Sequence, residues 1–522
     1  MIEKLGRLVA SRKVLLLWLI GPLLIAGLCQ LVRAGQYLFF QGDSTFPESA
    51  VVQTALWAKA SGQIYPNLNQ SPFTPAPYGP LFYAGLTALA KAVGGDFERL
   101  LVTGRFIVFA AFLLLVVAAY RWERQRLIFA IALVAPALIL AQIDFEAWNA
   151  SVRPDLPALL AGFAAFYFLL TGPLSWRRLL FCGCLCGVAG LLKQSMIALP
   201  LAVLLYLLAK KEFRAALAFA AGTAAVGIAV LAPLALRHEP VLREMMLARY
   251  SPTSVFGALQ LLRGDFVTYP GQIVFLGLGV LGLLRMDPKL VPTRPLIAVY
   301  FVLAWLTGFY TSMAPGANMN AFLEAWIVTA ICSPFAVADL VEGWSLTPMT
   351  ARLVIMLLWA GSMLIELNAW RTLMSIRPYA YGELAQAVRG RHVLSDIPYV
   401  TAHGSQPELL DPSVNHYLEL AGQWSPQPVL QELQTGSFDY VVVGLSGNRA
   451  RQWRGLTLFS TAILAGIERD YRPLCVAERF AVYVPHAHTV GDAAKQQFTK
   501  AGCKAPLDSD PPVELLGHQQ PR

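Results

Sequence analysis

The chain has 522 residues, of which 56% are hydrophobic and only 14% are charged, and its mean hydropathy is +0.53. These values lie outside the range of ordinary soluble domains and indicate a protein with several membrane spans. The formal charge of +9 does not indicate nucleic-acid binding. The basic residues cluster in short connectors between apolar segments, which is where membrane topology places them.

Apolar segments that suit membrane-spanning helices follow one another over residues 1–370. Eleven are predicted, at residues 14–34, 101–120, 127–143, 156–175, 179–193, 195–209, 215–236, 267–284, 295–313, 322–340 and 353–370. The first follows a basic flank and is too long for a cleaved signal peptide, so the N-terminus is predicted to be cytoplasmic. The connectors RWERQR, PLSWRR, KKEFR and RMDPK share its side, and an odd number of spans places the C-terminus outside.

The first outer loop, residues 35–100, carries the richest chemistry. It contains GDSTFPES, then a predicted amphipathic helix in VVQTALWAKASGQIY, and then the proline-rich PNLNQSPFTPAPYGP. A long loop with its own helices is usually functional. Asp43 and Glu48 in GDSTFPES have two interpretations: they cap and stabilise the following helix, or they take part in chemistry.

Further polar side chains lie in or beside the apolar segments on the outer side. They are Arg105, Asp144, Glu146, Arg153, Asp155, Lys193 and Gln194. Ionisable groups at membrane depth usually face a cavity or each other. Lys193 separates two short apolar runs, where it could neutralise a phosphate whose lipid tail stays in the bilayer. The alternative is a salt bridge from Lys193 to Asp155 or Glu324.

The composition turns polar from about residue 376. Strand-like RHVLSDIPYV, FDYVVVGL and RFAVYVP, with a helix in PVLQELQTG, predict a small α/β domain over residues 371–487 on the outer face, followed by a flexible tail at 488–522. Cys475 and Cys503 can pair there if the region is extracytoplasmic. CGCLC at 182–186 lies in an apolar segment and is interpreted as small packing residues, not as a metal site.

These motifs resemble the GT-C superfamily of integral-membrane glycosyltransferases. The first-loop residues that carry the resemblance are Glu48, Gly62, Tyr65, Tyr78, Gly79, Pro80, Leu81 and Arg105. The later segments RPD at 153–155, LLKQS at 191–195 and GANMNAFLE at 316–324 look like motifs of the bacterial protein O-mannosyltransferase and lipid A aminoarabinose transferase branch. The resemblance implies a polytopic helical catalytic region over residues 1–370 with a periplasmic α/β domain after it.

The resemblance also implies a function: inverting transfer of a sugar from a polyprenyl-phosphate donor to a glycan, lipid or protein acceptor at the outer face of the bacterial inner membrane. Glu48 is the first candidate for the base, and Asp43 stays in contention because Pro47-Glu48 stands where the family has an acidic pair. The implied phosphate-binding residues are Lys193, Arg153 and Arg105. The implied substrate-binding residues are Asp155, Gln194, Asn320, Glu324 and Tyr78.

We expect no required cofactor. Phosphate leaves without a protonated oxygen, so a second acid is not needed as it is in glycoside hydrolysis. A divalent cation is possible, with Asp43, Glu48, Asp144 and Glu146 as oxygen ligands. The main rival function is a transporter or flippase of a lipid-linked sugar, which predicts repeated halves and broken helices in both. The sequence indicates neither. A structural protein with a membrane anchor is a weaker rival, since eleven spans exceed what an anchor needs.

Overall fold

The computed structural model describes residues 11–45, 48–68, 72–246, 253–314, 317–344, 347–376, 379–405, 410–445, 458–477 and 479–504. Contacts divide the chain into two units. The first unit comprises residues 1–38, 105–232 and 253–377, and the second comprises 39–104, 233–252 and 378–522. The sequence-based boundary near residue 370 lies close to the last change of unit. Two loops of the helical region, however, group with the C-terminal residues.

Apolar helices build the first unit, although residues 97–104 and 233–236, at the ends of two of them, belong to the second unit. Their bounds are Arg12–Leu38, Phe97–Arg124, Phe129–Ala132, Val134–Ala141, Asp155–Leu170, Trp176–Leu192, Ala198–Ala209, Phe213–Leu236, Val255–Thr268, Gly271–Arg285, Arg294–Ser312, Leu323–Gly343 and Met349–Ser375, with 3-10 turns at Ile143–Phe145 and Met319–Phe322. Every predicted apolar segment overlaps one of these helices. Among the described residues, six helices are long and apolar enough to cross a membrane, or seven if one bent pair counts as a span. The chain is therefore a multi-pass membrane protein, and the count of eleven spans stays a prediction.

That bent pair differs from the sequence-based expectation. The helices Val255–Thr268 and Gly271–Arg285 meet at an angle of 103°, whereas the sequence analysis predicts one span at 267–284 and no broken helix. Pro270 occupies the N-cap position of the second helix. Because proline lacks an N–H and tolerates the start of a helix but not its interior, a new helix begins after it.

Small residues let two helices of the first unit approach closely. A Cβ added to Gly183, in the helix Trp176–Leu192, would lie 2.1 Å from the carbonyl oxygen of Phe219. A Cβ added to Gly222, in the facing helix, would lie 2.1 Å from the carbonyl oxygen of Leu180. Cys182 and Cys186 are buried in the same helix. This packing agrees with the interpretation of CGCLC as closely packed small residues.

Gly183→Ala is expected to destabilise the protein by about 1–3 kcal/mol, because the added methyl group cannot avoid the facing backbone. Gly190→Ala in the same helix is the matched control, since nothing lies within 4 Å of its added Cβ. The thermal unfolding midpoint of both purified variants in one detergent checks this. Equal midpoints for the two variants would contradict the close approach.

The second unit contains short helices and a four-stranded sheet. The helices are Glu48–Ser61, Pro80–Ala92, Val241–Met245, Gly382–Ala387, Pro398–Thr401, Pro412–Leu420, Gln427–Gln434, Thr461–Asp470 and Asp492–Lys500. The strands are β1 (Val393–Ser395), β2 (Tyr440–Gly444), β3 (Tyr471–Val476) and β4 (Phe480–Pro485). The strand order is β1-β2-β4-β3, with β1 parallel to β2 and the other two pairs antiparallel. Val441 lies opposite Leu394 on one side and Tyr483 on the other.

The chain after residue 487 is more ordered than the predicted flexible tail. Residues Asp492–Lys500 form a helix in which Phe498 is buried against the strands. Cys503 forms a disulfide with Cys475 of β3, with the two Cα atoms 5.5 Å apart. The buried Phe498 and the disulfide hold this segment in place. Neither could be recognised from the polar composition of the segment. Residues 505–522 lie outside the described part of the chain.

Two carboxylates from the segment 233–252 hold the first outer loop in the second unit. Glu239 accepts hydrogen bonds from the backbone N–H groups of Ile64 and Tyr65 at 2.9 and 3.1 Å. Glu244 accepts one from the N–H of Ala76 at 3.0 Å. These bonds satisfy backbone donors that no helix or strand partner could reach.

Glu244 makes the stability of the protein depend on pH. Burial raises the pKa of its carboxyl group to about 7 from an ordinary value of 4.5, against the opposing effect of the Ala76 N–H. Between pH 4.5 and about 7, the folded state therefore keeps a proton on Glu244 that the unfolded state has released. This contribution, on the order of 1–3 kcal/mol, is complete below pH 4.5 and is lost as the pH rises through 7.

Glu244→Gln is expected to weaken this pH dependence, because the amide cannot ionise. Thermal unfolding midpoints of wild type and variant at pH 5 and pH 8 measure the effect. The wild-type midpoint should fall more between the two pH values than the midpoint of the variant. An identical fall would show that Glu244 ionises at its ordinary pKa.

Candidate functional site

A buried carboxylate organises the candidate site of the first unit. Asp155 is the first residue of the helix Asp155–Leu170, where an acidic group interacts favourably with the helix dipole. Lys193 directly follows the helix Trp176–Leu192, in an extended conformation that ends that helix. Asn320 lies in the 3-10 turn Met319–Phe322. The fold thus brings together residues that are far apart in the chain.

The contacts around Asp155 are short and polar. The Lys193 Nζ atom lies 2.6 Å from Asp155 Oδ1, and the Asn320 amide donates to the same oxygen at 2.9 Å. The Arg153 Nε atom lies 3.5 Å from Asp155 Oδ2. The Asp155 side chain is 1% exposed, whereas those of Lys193 and Arg153 are 12% and 10% exposed. The guanidinium of Arg153 also stacks on Trp148, with its carbon 4.7 Å from the ring centroid.

This arrangement contains the salt bridge that the sequence analysis named as the alternative for Lys193. The salt bridge does not exclude phosphate binding. One carboxylate neutralises one of the two cations beside it, so Arg153, Lys193 and Asp155 together retain a positive charge. Asp155 holds both cations in place, and an ammonium or a guanidinium has several N–H donors with which it can also bind an anion.

Glu324 lies near this group of residues. It is the second residue of the helix Leu323–Gly343 and interacts electrostatically with Lys193. The Tyr300 hydroxyl and the Leu199 N–H donate hydrogen bonds to it. Both Glu324 and Tyr300 line a small cavity. Gln194 is half-buried beside Lys193 in the chain.

Arg105 and the acids of the second outer loop have structural contacts in the first unit. Arg105 is fully buried and donates to the carbonyl of Tyr37 at 2.9 Å, at the end of the first helix. Glu146 accepts from Arg33 at 2.8 Å and from the Tyr37 hydroxyl at 2.9 Å. The role of Arg105 toward a donor phosphate stays a prediction.

Asp144 belongs to a set of buried polar residues. The sequence analysis named Asp144 but missed Asp265 and Glu366. It accepts from the Trp326 indole at 2.8 Å and from Gln142 at 3.1 Å. Asp265, beside the helix bend, hydrogen-bonds with Asp144, and Glu366 interacts electrostatically with it. Glu366 is an acidic residue within the predicted span 353–370. An acidic residue at that position was a feature of the sequence that could have indicated this set. Within the ranges that the structure describes, no three His, Cys, Asp or Glu side chains form a group that could hold a metal ion.

The two candidate bases lie in the second unit at the start of a helix. Asp43 accepts from the N–H of Ser49 at 2.6 Å and from that of Tyr399 at 3.3 Å. Glu48, the first residue of the helix Glu48–Ser61, accepts from the N–H and hydroxyl of Ser44 at 2.9 and 2.8 Å. Glu48 has no exposed surface, whereas Asp43 is half-buried. Asp43 therefore caps the helix, whereas Glu48 lies in its first turn and binds the segment before it. A chemical role stays a prediction for both carboxylates.

The remaining first-loop motif residues shape the loop. Gly62 has a φ of +77°, a left-handed conformation that favours glycine, and it directly follows the helix Glu48–Ser61. That helix is buried on several sides along its first half, not along a single face as an amphipathic helix would be. The Tyr65 hydroxyl donates to the carbonyl of Tyr78 at 2.8 Å. The Tyr78 side chain is half-buried and contacts the ring of Phe82.

Comparisons with known proteins agree with these features. A family model described as dolichyl-phosphate-mannose-protein mannosyltransferase matches residues 77–236. That range includes the YGPL motif, RPD and LLKQS. A search of curated proteins finds no match.

Solved structures of low sequence identity share the fold. ArnT from Cupriavidus metallidurans bound to undecaprenyl phosphate is 13% identical, with a TM-score of 0.58 over 90% of this chain and 99% of that one. The apo state of the same protein gives 13% identity and a TM-score of 0.55 over 89% and 97%. The apo oligosaccharyltransferase of Archaeoglobus fulgidus gives 13% identity and a TM-score of 0.50, over 91% of this chain and 75% of that one. The family match and the fold together confirm the resemblance to the GT-C glycosyltransferases.

Proposed function

We propose that the protein transfers a sugar from a polyprenyl-phosphate donor to an acceptor hydroxyl at the outer face of the bacterial inner membrane. The observation that carries the proposal is the pair of cations held on Asp155. A buried carboxylate with two partly exposed cations suits a ligand that brings its own negative charge into a membrane protein. A lipid phosphate fits because its tail stays in the bilayer while its head meets the cations.

The proposed reaction is a single displacement with inversion. The acceptor oxygen attacks the anomeric carbon of the sugar, and the bond from that carbon to the phosphate oxygen breaks. The proton of the acceptor passes to a carboxylate, for which Asp43 and Glu48 are the candidates. The bonding electrons leave with the polyprenyl phosphate, where Lys193 and Arg153 stabilise the developing charge.

Asp155 positions the cations beside the donor. The residues proposed to contact the sugar or the acceptor are Asn320, Glu324, Gln194 and Tyr78. The solved ArnT structure contains undecaprenyl phosphate, which supports a lipid phosphate as the ligand class.

The proposed reaction needs no cofactor, because fixed cations supply the charge and the leaving phosphate needs no proton. Transfer activity unchanged by a chelator would agree with this; loss with chelator and recovery with a divalent cation would contradict it.

A deletion strain tests the function. Mass spectrometry of envelope glycans and of polyprenyl-phosphate sugars should show one glycan modification lost and one lipid-linked sugar accumulated. The wild-type gene should reverse both changes, and a Lys193→Ala gene should reverse neither, although its protein reaches the membrane in equal amount. Unchanged glycans and lipid-linked sugars in the deletion strain would contradict the proposal.

A further inference from the structure

A cavity of about 690 Å³ lies in the second unit where two helices meet. It is open to the surface and lies between the end of the helix Pro80–Ala92 and the start of the helix Phe97–Arg124. Its volume is in the range of small-molecule sites. It contains none of the residues assigned above to sugar transfer.

The position of the cavity relates it to the membrane surface. The helix Phe97–Arg124 is long and apolar enough to span a membrane. Because its first two turns line the cavity, the cavity lies at one end of this candidate span. A molecule bound there would place a polar head beside Glu98 and an apolar part along the helix.

The lining of the cavity is amphiphilic. Val93 and Val102 provide apolar surface, Thr103 provides a hydroxyl, and Glu98 and Arg99 provide adjacent charges of opposite sign. A ligand that matches this lining has an apolar portion, a cation and an anion in close proximity.

The carboxylate of Glu98 is held in position by the C-terminal part of the second unit. The Tyr399 hydroxyl donates to Glu98 Oε1 at 2.5 Å, and His403 Nε2 lies 3.1 Å from the same oxygen. His403 is itself fixed by its Nδ1 atom, 2.9 Å from the Tyr399 carbonyl oxygen. The Glu98 side chain nevertheless stays 39% exposed. Water alone can solvate an acidic residue in the first turn of a helix, whereas Glu98 also has these two protein partners.

We infer that this cavity binds the headgroup of a zwitterionic phospholipid of the phosphatidylethanolamine type. The primary ammonium donates to Glu98, the phosphate accepts from the guanidinium of Arg99, and the acyl chains follow the helix Phe97–Arg124 into the bilayer. Phosphatidylcholine lacks ammonium N–H donors and cannot form the contact with Glu98. Phosphatidylglycerol lacks the cation altogether. Preference for ethanolamine therefore distinguishes this site from a general lipid surface.

Native mass spectrometry of the purified full-length protein tests the inference. The protein is mixed with equal amounts of phosphatidylethanolamine, phosphatidylcholine and phosphatidylglycerol of the same acyl composition, and the retained lipids are counted. Wild type should retain phosphatidylethanolamine about fivefold over each of the others, as expected for a charged hydrogen bond at a partly exposed site.

Two variants and one control identify the cavity as the site. Glu98→Gln should remove most of the preference, because the contact with the ammonium is lost, whereas Arg99→Gln should lower the retention of all three lipids, because each carries the phosphate. Lys91→Gln should change neither, since Lys91 is exposed nearby but does not line the cavity. Arg99 is exposed, so its variant keeps the test valid if Glu98→Gln fails to fold. Equal retention of the three lipids by wild type, a preference for phosphatidylglycerol, or a total lipid retention that Arg99→Gln leaves unchanged would overturn the inference.

Discussion

Lys193→Ala is expected to lower the rate of sugar transfer by about 10²–10³-fold, because it removes a fixed cation from the phosphate of the leaving group. Lys193→Arg should retain part of the rate, since it keeps the charge but changes the length and geometry of the donor. Transfer of a radiolabelled sugar from a polyprenyl-phosphate donor, measured with equal amounts of purified protein, gives the rates. A Lys193→Ala protein with the wild-type rate would contradict the assignment.

The salt bridge from Lys193 to Asp155 requires a control, because Lys193→Ala removes the closer of the two cations beside this buried carboxylate and leaves it only Arg153, at 3.5 Å. Such a change can destabilise a protein by several kcal/mol without any catalytic effect. The double variant Lys193→Ala with Asp155→Asn removes both charges of this salt bridge, although it leaves Arg153, and should restore part of the lost thermal unfolding midpoint. If Lys193 acts on the phosphate, the double variant stays inactive. Recovery of activity together with stability would show that Lys193 is only a structural partner of Asp155.

Loss of the catalytic base is expected to cost about 10²–10⁴-fold in rate, and separate variants should assign it. The sequence pattern favours Glu48, whereas the structure leaves Asp43 half-buried and Glu48 without exposed surface. Because a base must reach the proton that it removes, we expect Asp43→Asn to lose more activity than Glu48→Gln. The opposite order would assign the base to Glu48.

Amide variants separate this catalytic role from helix capping. Asparagine caps helices as well as aspartate does, and glutamine can still accept from Ser44. Both variants should therefore unfold near the wild-type temperature. Ser44→Ala is the matched control, since it removes one hydrogen bond to Glu48 at 2.8 Å and leaves both carboxylates. Wild-type rates in both amide variants would exclude each carboxylate as the base.

Hydropathy predicted the helical first unit well, because a span must be about 20 apolar residues long whatever its contacts. It did not predict the helix Val255–Thr268, whose sequence carries Arg263 and Asp265 among its apolar residues. In the second unit, the strand β3 was missed because Pro473 argues against a central strand. β3 lies at the edge of the sheet, where proline is tolerated.

Prediction of the site was limited by contacts between distant residues. The sequence showed that Lys193 needed a partner, because an ammonium between apolar segments is costly, and Asp155 was one of two partners named. The contact of Asn320 with the same carboxylate could not be predicted, since 165 residues separate them. Likewise, nothing local indicated that Asp265 would hydrogen-bond with Asp144. The bonds of Asp43 with Ser49 and of Glu48 with Ser44 are of the kind that can be anticipated, because they join neighbours in the chain.

Binding of undecaprenyl phosphate to the purified protein tests the central claim most directly. Wild type, Lys193→Ala and Lys210→Gln are titrated in the same detergent, with Lys210 as an exposed lysine outside the Asp155 group. The account predicts that Lys193→Ala weakens binding about tenfold or more, while Lys210→Gln binds as wild type does. Equal affinity of all three proteins for undecaprenyl phosphate would contradict it.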